Sequence, residues 1–442
     1  MGNETLRARK EVEEDVYTFE PFDNGAGPLW CFGNTCLVRH QGHVLASGME
    51  NVPGAKPLNN ARWTLLERGN DGWRLGQRDC VERTREPSPI GVFDDGRLIM
   101  SVNPTLTTID AKSGPAQPRV LVFRVESPGK PYLTMLPKWS EPEPAFTEHS
   151  YRSLAVDGKN HEIMLFQNIG YTHALWSFYD RMGEWSGCGK LSFPWGATYD
   201  EPQPIRVCYP SVALRDRAIF FCGVSDIHEP YREWAEYKLQ LTGSSWDYDF
   251  RRLFFTWCPD VTKRPFADWL EVSSRDKTAG WITPWDLFLE PDGGVHTLWL
   301  ERALDERLRE KFFPGERQTI ALNHALLRKG RVLRSGPLVS WEESSNHPVP
   351  GPGRFHVTPD NRLLIIFHLQ YPKGPRTDLS GNYLMELLPD GSTSPLARIP
   401  IRSPLTSFYT ATARAGCLPS NTIDLLGQLD STIRYARISI ED

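Results

Sequence analysis

The stretch "RVCYPSVALRDRAIFFCGVSDIHEP", Arg206 to Pro230, decides the fold. Two apolar runs, rich in β-branched and aromatic residues, meet at the charged turn Arg215-Asp216-Arg217, which is the pattern of an antiparallel hairpin. Its rims carry Arg206, Tyr209 and His228, which a plain hairpin does not need. The same pattern recurs on both sides: "TCLVRHQGHVLASG" from Thr35, "IGVFDDGRLIMSV" from Ile90 and "YRSLAVDGKNHEIMLFQ" from Tyr151 precede it. "PWDLFLEPDGGVHTLWLE" from Pro284, "RFHVTPDNRLLIIFHL" from Arg354 and the looser "FYTATARAGCLPSNTIDLLGQ" from Phe408 follow. A hairpin returning every ~50 to 75 residues is a repeat of supersecondary units.

A third alternating segment follows each hairpin, and usually a fourth. "RWTLLERGNDGWRLG" from Arg62, "HALWSFYDRMGEWSG" from His173 and "NYLMELLPDGSTSPLARI" from Asn382 are examples. Four antiparallel strands, repeated seven times, predict an all-β chain folded as a seven-bladed β-propeller over 1–442 as one domain. The seventh repeat ends at its third strand, "STIRYARISIED", so its outermost strand is missing. "DVYTFEPF", residues 15–22, is a free strand-like segment that would lie beside Ile433–Ile438, closing the ring and hiding an edge. The one helical segment expected is an exposed insertion over about 303–313, in the fifth blade. Two turns, "SFYDRMGEW" from Ser177 and "RGNDGW" from Arg68, resemble the Asp-box turns of sialidase-like propellers, in which Asp accepts backbone hydrogen bonds and Trp packs between sheets.

Composition narrows the function. A formal charge of -5 offers no basic field for a phosphate backbone, so no nucleic-acid partner is expected. No window is long and apolar enough to span a bilayer, so no membrane partner is expected either. "MGNETLRARKEVEEDVYTF" lacks the apolar core of a signal peptide, which reads as cytoplasmic as written, and as periplasmic or secreted had a leader been removed. The eight cysteines form no CxxC pair, which favours buried thiols over a disulfide framework.

In a propeller the first strand of each blade lines the central channel, and the loop leading into it delivers side chains to a shared mouth. Reading those entrances gives Asn34, Ser88, His149 with Tyr151 and Arg152, Arg206 with Tyr209, Trp281 with Thr283, His347 with Arg354 and His356, and Tyr409. Several arginines at one mouth point to an anionic ligand, and a sugar acid fits their planar fork. His149 and His173, at the starts of one blade's first and third strands, can exchange protons near neutral pH. The expected catalytic set is therefore His149, His173, Arg206 and Tyr209, with Arg152, Tyr151, Asn34, Trp281, Arg354, His356 and Tyr409 binding substrate. No cofactor or metal is expected, although Cys208, Cys222 and His228 offer ligand types for a structural zinc.

"HSYRSLAVDGKNHEIMLFQNIGYTHALWSFYDRMGEWS", followed by the opening stretch, resembles the BNR-repeat propellers that include ulvan lyases and related rhamnose- and glucuronate-acting enzymes. The likeness covers roughly residues 148–230, with Asp226, His228 and Pro230 matching a turn motif into which Glu229 is inserted. It implies that the family's two catalytic histidines fall near His149 and His173 and its neutralising arginine near Arg206. The family's early Asp, Gly, Trp, Cys, Trp signature is replaced here by "NGAGPLWCFGNT", and its His-Asn-Asn-Pro turn has no counterpart.

The resulting expectation is a polysaccharide lyase acting by β-elimination on an acidic oligo- or polysaccharide. Arg206 would neutralise the uronate carboxylate, Tyr209 or His149 would take the C5 proton, and His173 would donate to the leaving O4. Two rivals remain open. A glycoside hydrolase would use Arg152, Arg206 and Arg354 as a sialidase-like triad with Tyr409 as nucleophile, and a non-catalytic propeller would bind glycan or protein through the same mouth.

Overall fold

The computed structural model describes residues 6–441, whose strands form seven four-stranded antiparallel sheets. Blade 4 shows the common plan: Val207–Arg215 pairs with Ala218–Ser225, then Arg252–Cys258, then Leu270–Ser274. Blades meet face to face through apolar side chains. Ala155 and Phe166 of blade 3 pack on Val212 and Phe221 of blade 4, and Cys222 and Phe255 of blade 4 pack on Leu287 and Trp299 of blade 5. At ~1.5–3 kcal/mol for each fully buried large side chain, these interblade layers are the main source of stability. Among the described residues no helix is long and apolar enough to cross a membrane.

The ring closes on blade 7, where Phe408–Thr410, Thr422–Leu429 and Thr432–Glu441 are completed by the N-terminal strand Arg7–Thr18. That strand starts earlier and stops sooner than the 15–22 read from the sequence. Its register runs from Arg7 opposite Glu441 to Thr18 opposite Thr432. "RARKEVEED" shows no apolar alternation, yet an outermost strand faces solvent, so charge there is compatible with pairing and guards the edge. Pro21 lies beyond the pairing, where Phe22 instead packs on Met49 and Ala61 of blade 1.

Among the described residues two α-helices interrupt the strands. The insertion expected at 303–313 is α2, Glu306–Phe312, capped by Asp305. A second helix, α1, Arg232–Thr242, was not expected from the sequence. Its inward residue is Lys238, buried between Glu229 and Asp247, so no apolar stripe advertises it. Trp234 and Tyr237 of α1 pack on Phe312 of α2, which joins the two insertions on one face of the disc. The Asp-box turn behaves as read: the Asp180 carboxylate accepts from the backbone N–H groups of Met182 (2.8 Å) and Glu184 (3.3 Å).

The axial channel is filled from both ends. From the mouth, the turn Leu29–Asn34 descends into it, and a Cβ on Gly33 would lie 2.1 Å from the Pro210 carbonyl, so only glycine fits. From below, the 3-10 turn Ala413–Ala415 enters, ending at Gly416, whose φ of 82° and contact with Val92 likewise exclude a side chain. Arg414 joins the two plugs. It donates to the Gly33 carbonyl (2.8 Å) and pairs with the buried Asp286 carboxylate (2.7 Å).

Two outcomes check this architecture. Removing residues 1–18 leaves the Thr432–Glu441 strand as a bare edge, and is expected to yield aggregation and a lower melting temperature by light scattering and calorimetry. Asp286→Asn leaves Arg414 buried without its counter-charge and is expected to cost about 3–5 kcal/mol in chemical denaturation.

Candidate functional site

Each first strand starts at the mouth and successive strands reverse, so two kinds of loop emerge there: those entering first strands and those joining second to third strands. The sequence reading used only the first kind. The second kind supplies Tyr171, between two strands of blade 3, and the segment holding His228, Trp246 and Tyr248 in blade 4.

These residues gather around Arg206. Its guanidinium lies 4.1 Å from the Tyr171 ring centre, 5.4 Å from that of Tyr248 and 5.5 Å from that of Tyr151. The Tyr171 and Tyr248 hydroxyls are hydrogen-bonded to each other at 2.9 Å. Arg206 donates through Nε to the Asp226 carbonyl (2.8 Å) and pairs through Nη2 with its carboxylate (2.9 Å). Among the described residues its Nη1 has no hydrogen-bond partner. Over this box lies an aromatic shelf in which His228 stacks on Tyr248 at 4.5 Å and Trp246, 70% exposed, meets both edge-on.

Tyr209 reaches the same cluster by a break in its strand. A spacing of three from Arg206 would put the two side chains on opposite faces of a regular strand. The register slips between Cys208 and Ser211, and Tyr209 itself adopts a φ of 51°. Its ring then sits 5.1 Å from Tyr151, under Trp30, Phe32 and Phe250. It is buried at 5% exposure, and burial pushes its phenol well up, so Tyr209 forms the floor of the mouth and is not presented to solvent.

His149 stands at the rim with 40% of its side chain exposed. Its Nδ1 is within hydrogen-bond distance of Arg85 Nη1. A guanidinium only donates, so Nδ1 is the acceptor and a neutral ring carries its proton on Nε2. Burial first and Arg85 second push the imidazole down to about 4, which leaves it neutral at pH 7. Arg85 also neighbours Glu86, a buried carboxyl whose pKa burial raises and whose Oε2 accepts from the Cys31 thiol at 3.4 Å.

Other expected residues lie elsewhere. His173 pairs opposite Ile169, on the face of Leu165 that packs toward blade 2, where it contacts Glu141 (3.2 Å) and Thr172 (2.7 Å). It is therefore turned from the face of Tyr151 and Arg206. Arg152 spends its guanidinium on the carbonyls of Glu86 and Pro87, and Asn34 donates to the Arg152 carbonyl. Arg354 binds the carbonyls of Phe32, Trp285 and Phe408, and the Tyr409 hydroxyl lies under those of Leu29, Trp30 and Cys31. These groups hold the channel plug, so the triad of Arg152, Arg206 and Arg354 with Tyr409 does not converge on open space. His356, at the far end of its strand, bonds the Ser420 carbonyl away from the mouth. Trp281 stays at the mouth, 4.5 Å from Phe250. The zinc alternative fails because Cys208 contacts Asn168, Cys222 contacts Thr297 and His228 is stacked in the shelf. Among the described residues no cluster of three metal-ligating side chains occurs.

No protein-family model and no curated protein sequence matches the chain. Solved structures do. The chain resembles polysaccharide lyase Uly1. That likeness has a TM-score of 0.50 at 11% identity and covers 98% of this chain and 93% of that one. An α-L-arabinanase of Penicillium chrysogenum complexed with arabinobiose aligns over 98% of both chains at 9% identity and a TM-score of 0.45. A sialidase of Trypanosoma rangeli aligns over 81% of this chain and 55% of that chain at 10% identity and a TM-score of 0.37. At these identities the likeness to Uly1 establishes the propeller fold.

The imidazole assignment is open to direct measurement. In nitrogen-15 spectra His149 is expected to be neutral at pH 7, bare at Nδ1 and protonated at Nε2, titrating near 4. Arg85→Met should raise that midpoint only part of the way toward the ordinary ~6.5, because burial, the larger cause, remains, and a midpoint unchanged in Arg85→Met would contradict the Arg85 contact.

Proposed function

We propose that this protein is a carbohydrate-active enzyme that cleaves a uronate-containing poly- or oligosaccharide by β-elimination at the mouth around Arg206. The observation that carries the reading is the box itself: one guanidinium walled by Tyr151, Tyr171 and Tyr248, beneath an exposed aromatic shelf and beside a neutral imidazole. Aromatic shelves suit the apolar faces of sugar rings, and a buried arginine suits a carboxylate. The fold shared with polysaccharide lyase Uly1 supports a saccharide substrate.

Elimination needs three things from the site. The carboxylate must be neutralised, because the C5 proton is only weakly acidic beside a full negative charge, and Arg206 Nη1 supplies that contact. A base must reach C5. Tyr171 is 39% exposed and its ring lies 4.1 Å from the Arg206 guanidinium, whereas Tyr209 is buried beneath the mouth, so the Tyr171 oxygen, once deprotonated, takes this role. The C5–H pair then becomes the C4=C5 double bond, the C4–O4 bond breaks, and Tyr171 returns the proton to O4. His149, with its proton fixed on Nε2, donates a hydrogen bond to the oxygen on which charge develops. In this scheme His149 is a donor and not the base expected from the sequence.

Hydrolysis at the same mouth is the competing reading, and Glu86 is the feature favouring it, since burial raises its carboxyl's pKa, the direction a general acid requires. Glu86 has no exposed surface, however. A panel of glucuronate-containing polysaccharides separates the readings. New reducing ends with rising ultraviolet absorbance from the C4=C5 bond mean elimination, reducing ends without absorbance mean hydrolysis, and neither means a binding propeller. Arg206→Ala and Tyr171→Phe are each expected to lower kcat by about 100-fold or more, with far-ultraviolet circular dichroism unchanged.

A further inference from the structure

The Arg206 guanidinium is held before any ligand arrives, and a single residue supplies the polar contacts. Asp226 follows the second strand of blade 4, and its N–H donates to the Arg206 carbonyl (2.8 Å), so the two residues face each other across the ends of a strand pair. Arg206 Nε then donates to the Asp226 carbonyl (2.8 Å), and Nη2 pairs with the Asp226 carboxylate (2.9 Å). Nε and Nη2 form one edge of a planar group, so two contacts along that edge fix both its position and its tilt. The Tyr171 ring, centred 4.1 Å away, packs against the same guanidinium. What remains for a ligand is Nη1.

Stability alone does not account for this pair. The strand ends are already joined by the backbone bond, so the ladder does not need the Asp226 side chain. A buried ion pair also adds little over an apolar substitute. Both side chains are nearly sealed, at 7% exposure for Arg206 and 3% for Asp226, and among the described residues no other cation lies within ion-pair distance of Asp226. Arg414 gives the contrast. Its guanidinium also meets a buried carboxylate, but Nη1 donates to the Gly33 carbonyl, so all three nitrogens are spent within the scaffold. Arg206 spends two and keeps one. A long side chain ordered in advance takes no ordering entropy from binding, and Asp226 is what orders this one.

We propose that Asp226 is a positioning residue, which locks the Nε and Nη2 edge of Arg206 so that the guanidinium meets the anionic group of a sugar through Nη1 alone. Asp226 touches neither the sugar nor the reacting atoms and acts only through Arg206. The assignment rests on the reading of the Arg206 mouth as a uronate site, so its test reads binding separately from turnover.

Asp226→Ala and Asp226→Asn, each made in the wild type and in Arg206→Met, are compared by calorimetry with D-glucuronate and by kcat/KM on glucuronate-containing polysaccharides. The amide oxygen of Asn can still accept from Nη2, and Ala offers nothing in its place. Asp226→Ala is expected to raise Kd about ten-fold and to lower kcat/KM about 100-fold, while Asp226→Asn stays within about three-fold of the wild type in both. In Arg206→Met neither substitution should change the residual binding, because the effect travels through the guanidinium. A purely structural role gives equal losses in both backgrounds and no rescue by Asn, and either result overturns the assignment. So does an Asp226→Ala variant that behaves like the wild type. Should Asp226→Ala not fold, Asp226→Ser, whose hydroxyl stops short of the carboxylate position, is read by the same criteria. Coupled binding in a protein that cleaves no uronate polymer leaves Asp226 its role and defeats the elimination reading, whereas cleavage undiminished by Asp226→Ala does the reverse. A wild type that neither binds D-glucuronate nor cleaves such a polymer overturns both.

Discussion

Arg414 is the residue on which the two ends of the molecule meet. A ring of seven sheets leaves an axial space, and unfilled space in a protein interior forfeits contacts on every wall. Here it is filled by two turns approaching from opposite ends, and the Arg414 guanidinium, bound to Gly33 and to Asp286, links them. Asp286 also accepts from the Phe355 N–H at 2.9 Å, which ties blade 5 to blade 6 through the same carboxylate. A buried ion pair of this kind adds little net stability over an apolar substitute, but it admits one arrangement of the turns. The mouth inherits its floor from that arrangement, because Trp30 and Phe32 of the upper turn are the rings against which Tyr209 rests.

This explains why so many expected binding residues serve the scaffold. Tyr409, Arg354 and Asn34 stand at strand entrances, where the sequence correctly places them beside the channel. What the sequence does not announce is that the channel is occupied. "LWCFGN" carries no periodicity, and its decisive feature is the absence of a side chain at Gly33, which is visible only once Pro210 is seen against it. An arginine beside an empty channel would await a ligand. Beside a descending turn, its donors are consumed by carbonyl groups that have no other partners.

The fold itself was legible because the evidence was repetitive. Each hairpin alone is ambiguous, but seven at similar spacing fix both sheet type and blade number, and the blade 7 deficit points to a strand from the other end of the chain. Its limits were misread because edge strands obey a different rule from buried ones, with charge in place of apolar alternation. Helix α1 was hidden for a related reason: its anchor is Lys238, and a buried lysine held by two carboxylates leaves no hydrophobic period to count. In the site, the placement of Arg206 and Tyr209 at one strand entrance was readable, and the register slip between Cys208 and Ser211 is what brings their side chains to one face. Tyr171 and Tyr248 were not, since they lie 77 residues apart and meet only when the turns of neighbouring blades are brought to one rim.

The placement of α1 then follows from the needs of that rim. A mouth built from short turns is shallow, and a shallow mouth leaves the guanidinium of Arg206 in water, where its pull on a carboxylate is weak. Blades 4 and 5 raise one side with α1 and α2, joined by Trp234, Tyr237 and Phe312. The foot of α1 is fixed by charge: Lys238 and Arg251 both bind Glu229, and Arg251 faces Asp249. Glu229 is the residue inserted between His228 and Pro230 in the opening stretch, so one added carboxylate anchors the wall while leaving His228 free to stack on Tyr248. The same anchor holds Arg251 against the buried Asp249 carboxylate, whose neighbour Tyr248 walls the Arg206 box, so wall and box share one short segment of chain.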